Sequence, residues 1–303
     1  MLRYCLPLLL AGTTFAAEPP RARPPEFTDA DRAPFFDNAF DTLVGERPVG
    51  GRRQEATRPA RPGTPGAPGA SSSEWADLIA GDVLETEIKR QASALGKTTR
   101  SASAYKAGGY RDAVDALGVI ATMFGVVVEH AGEPRWRDEA AALRDLFGGS
   151  VDEADGANDK AHRVASERAA DLTDLVRGGR PDMPEPADEV DWGLLASRTT
   201  LMRRMGAAEE ERLRGWLGSE RAFRRDSDEV RHEAQVLAAL AEAIVRPEAD
   251  EHDDPDYAAF ARQLRDASAE LSRAAEDEEY EAAAAAMTAV SRSCVDCHAE
   301  YRG

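Results

Sequence analysis

The feature that most constrains the fold of this chain is an internal repeat. Trp75 has a counterpart in Trp192, 117 residues further on, and the apolar stretch 120–128 matches 237–245 at the same offset. Further matches follow at a slightly larger offset. An ordered series of matches whose offset grows slowly indicates a tandem duplication, so the repeat is expected to set the architecture of most of the chain.

The duplication predicts two homologous units, residues 74–181 and 187–303, and each unit shows the pattern of four helices. Apolar residues recur at spacings of three and four, as on one face of a helix, and Ala and Leu outnumber the β-branched residues there. The second helix of the second unit is expected from Asp226 to Arg246, because Pro247 ends it. We therefore predict an all-α fold of two tandem four-helix bundles with up-down-up-down topology.

The other helices of the second unit also have predicted inward-facing stripes. The first helix follows a cap at Asp188 or Asp191. Its stripe contains Leu194, Leu195, Leu201, Met202, Met205 and Leu213. The stripe of the third helix contains Tyr257, Phe260, Leu264 and Leu271. The stripe of the fourth helix contains Tyr280, Ala283, Met287, Val290, Cys294, Cys297 and Tyr301.

Residues 1–17 predict a secretory signal peptide. Arg3 gives a positive start, an apolar run follows, and small residues end at Ala17. The run is too short to span a bilayer, and the alternative is an uncleaved apolar anchor. Cleavage after Ala17 would remove Cys5 and leave a protein with no membrane insertion. The expected location is the periplasm or another extracytoplasmic compartment.

Residues 18–73 predict a flexible linker. Its second part, 58–73, is rich in Pro, Gly, Ala and Ser, and it offers too little apolar surface to offset the loss of chain entropy. Phe27–Val44 is different, because it carries four phenylalanines. This segment is either a docking segment for the downstream domain or a partner, or a short helix held by its own protein.

The charge of the chain excludes some partners. With 38 Lys and Arg against 56 Asp and Glu, the net charge is −18, whereas binding to nucleic acid needs clustered cations. An anionic membrane surface is disfavoured for the same reason. The acidic runs 248–254 and 276–281 belong to solvated faces or steer a basic redox partner protein.

The chemistry is concentrated at Cys294-Val295-Asp296-Cys297-His298, near the end of the last predicted helix. This C-x-x-C-H pattern is typical of c-type haem attachment, because two thiols one turn apart can bond to the two vinyl groups of one porphyrin while the imidazole reaches the iron. The alternatives are a redox-active cysteine pair and half of a zinc site. No second C-x-x-C supports zinc, and no βαβ pattern supports a thioredoxin-like fold. We predict one covalent haem c.

The string C-x-x-C-H-x-x-Y-R at 294–302, at the very end of a four-helix unit, resembles the cytochrome c-prime family. The resemblance covers 187–303, and through the duplication it extends the expected fold to the first unit. It implies that Cys294 and Cys297 hold the haem and that His298 is the proximal iron ligand. Since members of the family are commonly dimers, it also implies either a dimer of chains or an intramolecular pseudo-dimer.

The resemblance also implies a distal side. In the family an Arg on the first helix lies near a haem propionate, and the residue four positions later caps the distal face of the haem. Arg198 and Met202 have this spacing. Arg302 is a second candidate partner for a propionate, and Tyr301 is expected to pack near the haem edge.

Met202 decides between two functions. Thioether sulfur opposite imidazole raises the reduction potential and closes the iron to other ligands, which suits electron transfer. If Met202 instead fills the core, as methionines on helix faces often do, a five-coordinate iron would bind NO or CO. Met205 is the fallback ligand, and Met287 is expected in the core. We favour an exported mono-haem electron carrier; an enzyme is disfavoured, because the distal stripe has no base.

The first unit is predicted to be haem-free. An offset of 122 places the apolar stretch 172–176 opposite the C-x-x-C-H motif. An offset of 117 places Gly81 and Glu85 opposite Arg198 and Met202. Apolar side chains are expected to fill the vacated space, because a cavity of haem size would be destabilising.

Overall fold

The computed structural model describes residues 73–301, which form helices and the turns between them. No strand occurs in this part of the chain, so the predicted all-α fold is confirmed. The predicted signal peptide, the linker with its segment Phe27–Val44, and Arg302 lie outside the described residues.

The first half contains a short helix followed by four main ones. They are α1 (Ser73–Leu78), α2 (Gly81–Thr98), α3 (Tyr110–Glu129), α4 (Ala140–Gly148) and α5 (Asp159–Val176). Short helical turns lie between them at Ala102–Ala104, Tyr105–Gly109, Arg137–Glu139 and Val151–Ala154. The helix α3 packs against both α2 and α4, and α5 packs against α2.

The second half repeats this order. A single turn, Trp192–Leu195, precedes α6 (Arg198–Gly206), which continues through a π-helical segment, Ala207–Leu213, and a last turn, Arg214–Trp216. The remaining helices are α7 (Glu220–Ala243), α8 (Pro255–Glu276) and α9 (Tyr280–Tyr301). The helix α8 packs against both α7 and α9.

Side-chain caps explain where several of these helices begin. Ser219 accepts a hydrogen bond from the backbone N–H of Ala222 at the start of α7. Asp254 accepts hydrogen bonds from two backbone N–H groups at the start of α8, where Pro255 takes the first helical position. Of the two predicted caps of the second unit, Asp191 is the one that accepts from a backbone N–H, that of Leu194.

The predicted first helix of the second unit is two helices. The backbone is extended at Ala196 and Ser197, and Ser197 caps α6 by accepting from the N–H of Thr200. The break changes the helical phase, so Leu194 is 72% exposed and was wrongly predicted to face inward, whereas Leu195 is buried. The predicted second helix also begins earlier than expected, at Glu220, and has a kink at Asp226.

The two halves share one continuous hydrophobic core. The helix α3 packs against α6, and α2 packs against α7. Trp75 and Trp192 are both buried, and their rings stack with centroids 5.7 Å apart. None of the described helices is long and apolar enough to cross a membrane.

Candidate functional site

The C-x-x-C-H motif occupies the last two turns of α9. Cys294 and Cys297 are free thiols, both partly buried, because their positions fall on the face that α9 turns towards the bundle. Between them, Val295 is 67% exposed, and His298 is exposed as well. The two thiols therefore lie together on the inner face, as the spacing predicts.

Both thiols and His298 line a cavity of about 440 Å³. Met202 and Met205, from α6, lie on the wall of the same cavity. Its wall also includes Ile244, Phe260 and Leu264. The volume falls within the range of roughly 300–1,000 Å³ that is typical of sites for small molecules and cofactors. The structure thus brings both candidate distal methionines into the site that the motif defines.

Burial sets the chemistry of the two thiols. It raises the pKa of Cys294 to about 11, and the nearby charge of Glu209 adds to the effect. Burial also raises the pKa of Cys297, although the positive charge of Arg198 opposes this. A redox-active cysteine pair needs a thiolate, which means a lowered pKa. The raised values therefore disfavour the interpretation of the motif as a redox pair.

Arg198 lies at the edge of the site. Its guanidinium forms a long ion pair with Glu251, with the nearest nitrogen and oxygen 3.7 Å apart, and its side chain is about one-third exposed. Its positive charge acts on the pKa values of both Tyr257 and Cys297, which places it near α8 and α9. Arg198 does not line the cavity of the thiols; it lies with Tyr257 on the wall of a small neighbouring cavity.

Tyr301 closes the end of α9 onto the start of α8. Its hydroxyl donates to Asp254 Oδ2 at 2.9 Å. Its ring packs edge-on against the rings of Tyr257 and Phe260, with centroids 5.2 and 6.1 Å away. Since Phe260 lines the cavity, Tyr301 supports the cavity wall from behind through that ring.

Glu209 is a residue of the site that the sequence does not predict. It lies in the π-helical segment after α6, is buried, and lines the cavity. Its Oε1 accepts hydrogen bonds from the hydroxyl of Ser291 at 2.5 Å and from the Arg214 guanidinium at 2.8 and 3.0 Å. The sequence signal is weak, because Glu209 is one of three consecutive glutamates, a pattern typical of a solvated face. A π-turn adds a residue to the turn and so changes which positions face inward.

The corresponding place in the first half is built differently. The guanidinium of Arg135 donates to Glu85 Oε1 at 2.7 Å and to the carbonyl oxygen of Val176 at 2.9 Å. By the offsets of the repeat, Glu85 corresponds to Met202 and Val176 to His298. Arg135 thus connects the positions that correspond to the two candidate iron ligands, through a salt bridge to Glu85 and a hydrogen bond to the backbone of Val176. A smaller cavity of about 220 Å³ remains beside Arg135, and no thiol or imidazole is among its lining residues.

Comparison with known proteins finds a similarity over the C-terminal part of the chain. The family model described as Cytochrome C' matches residues 249–302, the stretch that contains α8 and α9. The resemblance predicted from the motif is confirmed for this part of the chain. The match indicates a haem-binding c-type cytochrome with covalently bound haem c, from a family whose members are typically extracytoplasmic. No curated protein and no solved structure matches the chain.

The residues on the cavity wall fit a covalently bound haem. The two thiols lie on the same helix face and line one cavity together with an imidazole, so attachment and axial ligation would come from one segment. Most of the remaining wall is apolar or thioether, which suits a large flat ligand.

Proposed function

We propose that this protein is an exported mono-haem cytochrome that transfers electrons, with its haem c bound to Cys294 and Cys297 and with His298 and Met202 as iron ligands. One observation carries the proposal: Met202 lines the same cavity as both thiols and the imidazole. Imidazole and thioether together give a low-spin haem with a raised reduction potential and no open coordination position.

The protein's own residues would hold such a group in place. The thiols attach it to α9, and the apolar side chains of Ile244, Phe260 and Leu264 exclude water from its faces. Met205 is 4% exposed and three residues after Met202, so it is the second candidate for the distal sulfur. Arg198, at the edge of the site, is our candidate for offsetting the charge of a propionate.

Electron transfer needs a surface at which a partner can approach. Val295 is 67% exposed directly between the two attachment residues, and the side chains of Asp296 and Glu300 are on the same stretch of α9. With a net charge of −18, the chain favours association with a redox protein whose docking surface is basic.

We propose no substrate turnover at this site. The cavity does contain an acid, Glu209, which the sequence argument against an enzyme did not include. Its Oε1 already accepts hydrogen bonds from Ser291 and from the Arg214 guanidinium, which favours a structural role for this carboxylate over that of a general base.

A second candidate function is the binding of NO or CO at a five-coordinate iron. The observation that favours it is the apolar wall of Ile244, Phe260 and Leu264, which would shield an open coordination position if neither methionine reached the iron. The two functions differ in the spin state of the iron and in its response to a gas.

Absorption spectra of the ferric and ferrous protein, with and without CO, distinguish the candidates. The proposal predicts low-spin spectra that CO does not change. In Met202→Leu the volume is conserved and the sulfur is lost, so the spectrum should become high-spin and respond to CO. Met287→Leu is the matched control, because Met287 is a buried methionine of α9 that does not line the cavity.

Other results of these spectra would change the assignment of the distal ligand or of the function. A change in Met205→Leu but not in Met202→Leu would transfer the ligand role to Met205. A wild-type protein that is high-spin and binds CO would overturn electron transfer with a methionine ligand and support the gas-binding function.

A further inference from the structure

Positions that are equivalent in the repeat contact each other between the two halves. Trp75 and Trp192, 117 residues apart, stack on one another with an angle of 20° between their rings. The same offset relates Glu87 to Arg204, and Arg204 donates from Nε to Glu87 Oε1 at 2.7 Å and from a terminal nitrogen to Oε2 at 2.9 Å. A residue meets its own counterpart only on a twofold axis. These contacts therefore define an isologous interface within one chain.

A third pair of equivalent residues, Glu129 and Arg246, lies beside the stacked rings. A guanidinium nitrogen of Arg246 is 3.1 Å from Glu129 Oε2. The indole N–H of Trp75 donates to the same carboxylate at 2.8 Å, and the Arg246 guanidinium lies 4.6 Å from the centre of the Trp75 ring. Charge pairing and ring stacking thus occur at one place on the interface.

Contacts away from these pairs are reciprocal, as a twofold relation requires. The side chain of Gln235 in α7 accepts from the backbone N–H of Ala80, just before α2, at 3.0 Å. The counterpart of Gln235 is Gly118 in α3, and a methyl group on Gly118 would stand 3.0 Å from the Cβ of Ala196, just before α6. The long second helix of each half therefore meets the start of the first helix of the other half.

The charges break this symmetry. In both charged pairs the first half supplies the carboxylate and the second half supplies the guanidinium. Pairing two copies of the first half would place Glu87 against Glu87, and pairing two copies of the second half would place Arg204 against Arg204. The side chains of Glu87 and Arg204 are 0% and 5% exposed. Arg204 would keep its ion pair of 2.7 Å with Glu233 of its own half, but it would lie against a second buried guanidinium. Two buried Glu87 carboxylates would face each other without an arginine from the other half, so like pairing is unfavourable.

Two further observations agree with this polarity. Burial by itself raises the pKa of Glu87, but the charge of Arg204 and hydrogen bonds from His232, Arg204 and Gln91 outweigh it and hold the pKa well below its usual range. At the rim of the interface, Arg203 of α6 forms an ion pair of 3.0 Å with Asp115 of α3, again with the carboxylate on the first half. Arg90 of α2 has the opposite polarity, because it forms an ion pair of 2.8 Å with Glu229 of α7, but both of these side chains are partly exposed.

We propose that the surface where α2 and α3 of the first half contact α6 and α7 of the second half is an interface specific for these two halves of one chain. We also propose that its unequal charges disfavour pairing of either half with a second copy of itself. At the equivalent pairs and at Asp115, the first half supplies the carboxylate and the second half supplies the arginine, and Arg90 at the rim is the exception. The role of the haem-free half is then to occupy the face that the haem-carrying half would otherwise expose. This inference does not depend on the haem or on its ligands.

The test uses the full chain with a protease recognition sequence inserted beside Glu185, an exposed residue between the two halves. Cutting the folded protein removes the covalent connection and leaves the interface. We expect the two fragments to remain together as a 1:1 complex with the mass of the uncut protein. Separate fragments, or a complex of two copies of the same fragment, would overturn the proposal.

Charge variants of the same cut protein test the asymmetry. Arg204→Glu opposes two carboxylates at a buried position and should raise the dissociation constant of the two fragments by about a hundredfold or more. Arg224→Glu is the matched control, because Arg224 is exposed on α7 and pairs with Glu220 of its own helix. It should leave the dissociation constant unchanged. Equal effects of the two variants would contradict the proposal.

A rim pair keeps the test decisive if Arg204→Glu does not fold. Asp115→Arg and Arg203→Asp are each expected to weaken association about fivefold, because they oppose like charges at a partly exposed site. The combined variant restores an opposite pair in reversed order and should return to within about twofold of the parent. Failure of the combined variant to recover would overturn the role of charge complementarity.

Discussion

The two halves of this molecule have the same order of helices, but within the described residues only the second half has thiols, and they line a cavity together with an imidazole. In the second half, Cys294, Cys297 and His298 line a space of about 440 Å³ with two methionines opposite. In the first half, Leu172 and Leu175 replace the two thiols and are buried, with 0% and 3% of their surfaces exposed. The cavity is therefore a property of particular side chains and not of the bundle.

The difference shows how a bundle can lose a cofactor and remain packed. In the first half, Arg135 connects Glu85 to the carbonyl oxygen of Val176, and these two residues correspond by the offsets to Met202 and His298, which line the cavity of the second half. Trp136 packs beneath it, with the Arg135 guanidinium 4.6 Å from the ring centre. A polar bridge and an aromatic ring thus stabilise the position that corresponds to the candidate ligands of the second half.

The most severe way to break the comparison is to give the second half the residues of the first. The double variant Cys294→Leu/Cys297→Leu should contain no covalently bound haem, because neither thioether bond can form. The measurement is the absorbance of the denatured protein in alkaline pyridine after extraction with acidified acetone. Covalent haem retained in the double variant would show that attachment lies elsewhere.

A substitution in the first half tests whether apolar side chains fill the position that corresponds to the thiols. Leu172→Ala removes a fully buried side chain at the counterpart of Cys294, and the free energy of unfolding should fall by about 2–5 kcal/mol. Chemical denaturation measures this change. The haem content should stay at the wild-type level, and a loss of less than about 1 kcal/mol would mean that the first half is not tightly packed there.

A smaller effect is expected for the polar bridge of the first half. Arg135→Met keeps most of the side-chain volume and removes the guanidinium, and it should cost about 1 kcal/mol of unfolding free energy, because the pair with Glu85 is partly exposed. The pKa of Glu85, lowered by hydrogen bonds first from Lys89 and then from Arg135, should move back towards its usual value. Titration of the Glu85 carboxyl by NMR checks this, and an unchanged pKa would contradict the assigned role of Arg135.

The smallest expected effect is a pH dependence confined to the second half. The pKa of Asp254 is lowered by the backbone N–H of Tyr257 and then by the Tyr301 hydroxyl. A carboxyl with a lowered folded pKa contributes stability above its unfolded pKa and loses it as the pH falls through the folded pKa. Tyr301→Phe should raise the pKa of Asp254, so this contribution is lost at a higher pH.

NMR titration of Asp254 in both proteins measures this shift. Tyr280→Phe is the control, because the Tyr280 hydroxyl at the other end of α9 donates to a backbone carbonyl, that of Leu217, and not to a carboxylate. A shift of equal size in the control would show that the effect does not come from the hydrogen bond to Tyr301.

Local sequence patterns were sufficient for the fold class and for one wall of the site. The stripe that contains Cys294 and Cys297 lies on a single helix, so a regular spacing fixes which way these residues face. The predictions of which side chains face inward fail where the regular α-helical geometry is interrupted. The extended break at Ala196 turned Leu194 outward, and the π-helical segment turned Glu209 into the cavity, although both follow a helical pattern in the sequence.

Side-chain contacts between the two halves could not be predicted from the sequence, for a different reason. The repeat shows that Glu87 and Arg204 are equivalent, but equivalence does not reveal that the two side chains touch. Their pairing depends on how the halves pack against each other, which no local spacing encodes. The structure shows how the halves pack, and it therefore shows that the opposite charges of Glu87 and Arg204 form an ion pair.

The central claim is that haem is attached to the second half alone, through the two thiols of α9. Mass spectrometry of the tryptic peptides of the exported protein tests it most directly. We expect the peptide that follows Arg292 to carry the mass of one haem and no other peptide to carry any. Free thiols in that peptide that can be alkylated, or haem on a peptide from the first half, would contradict the account.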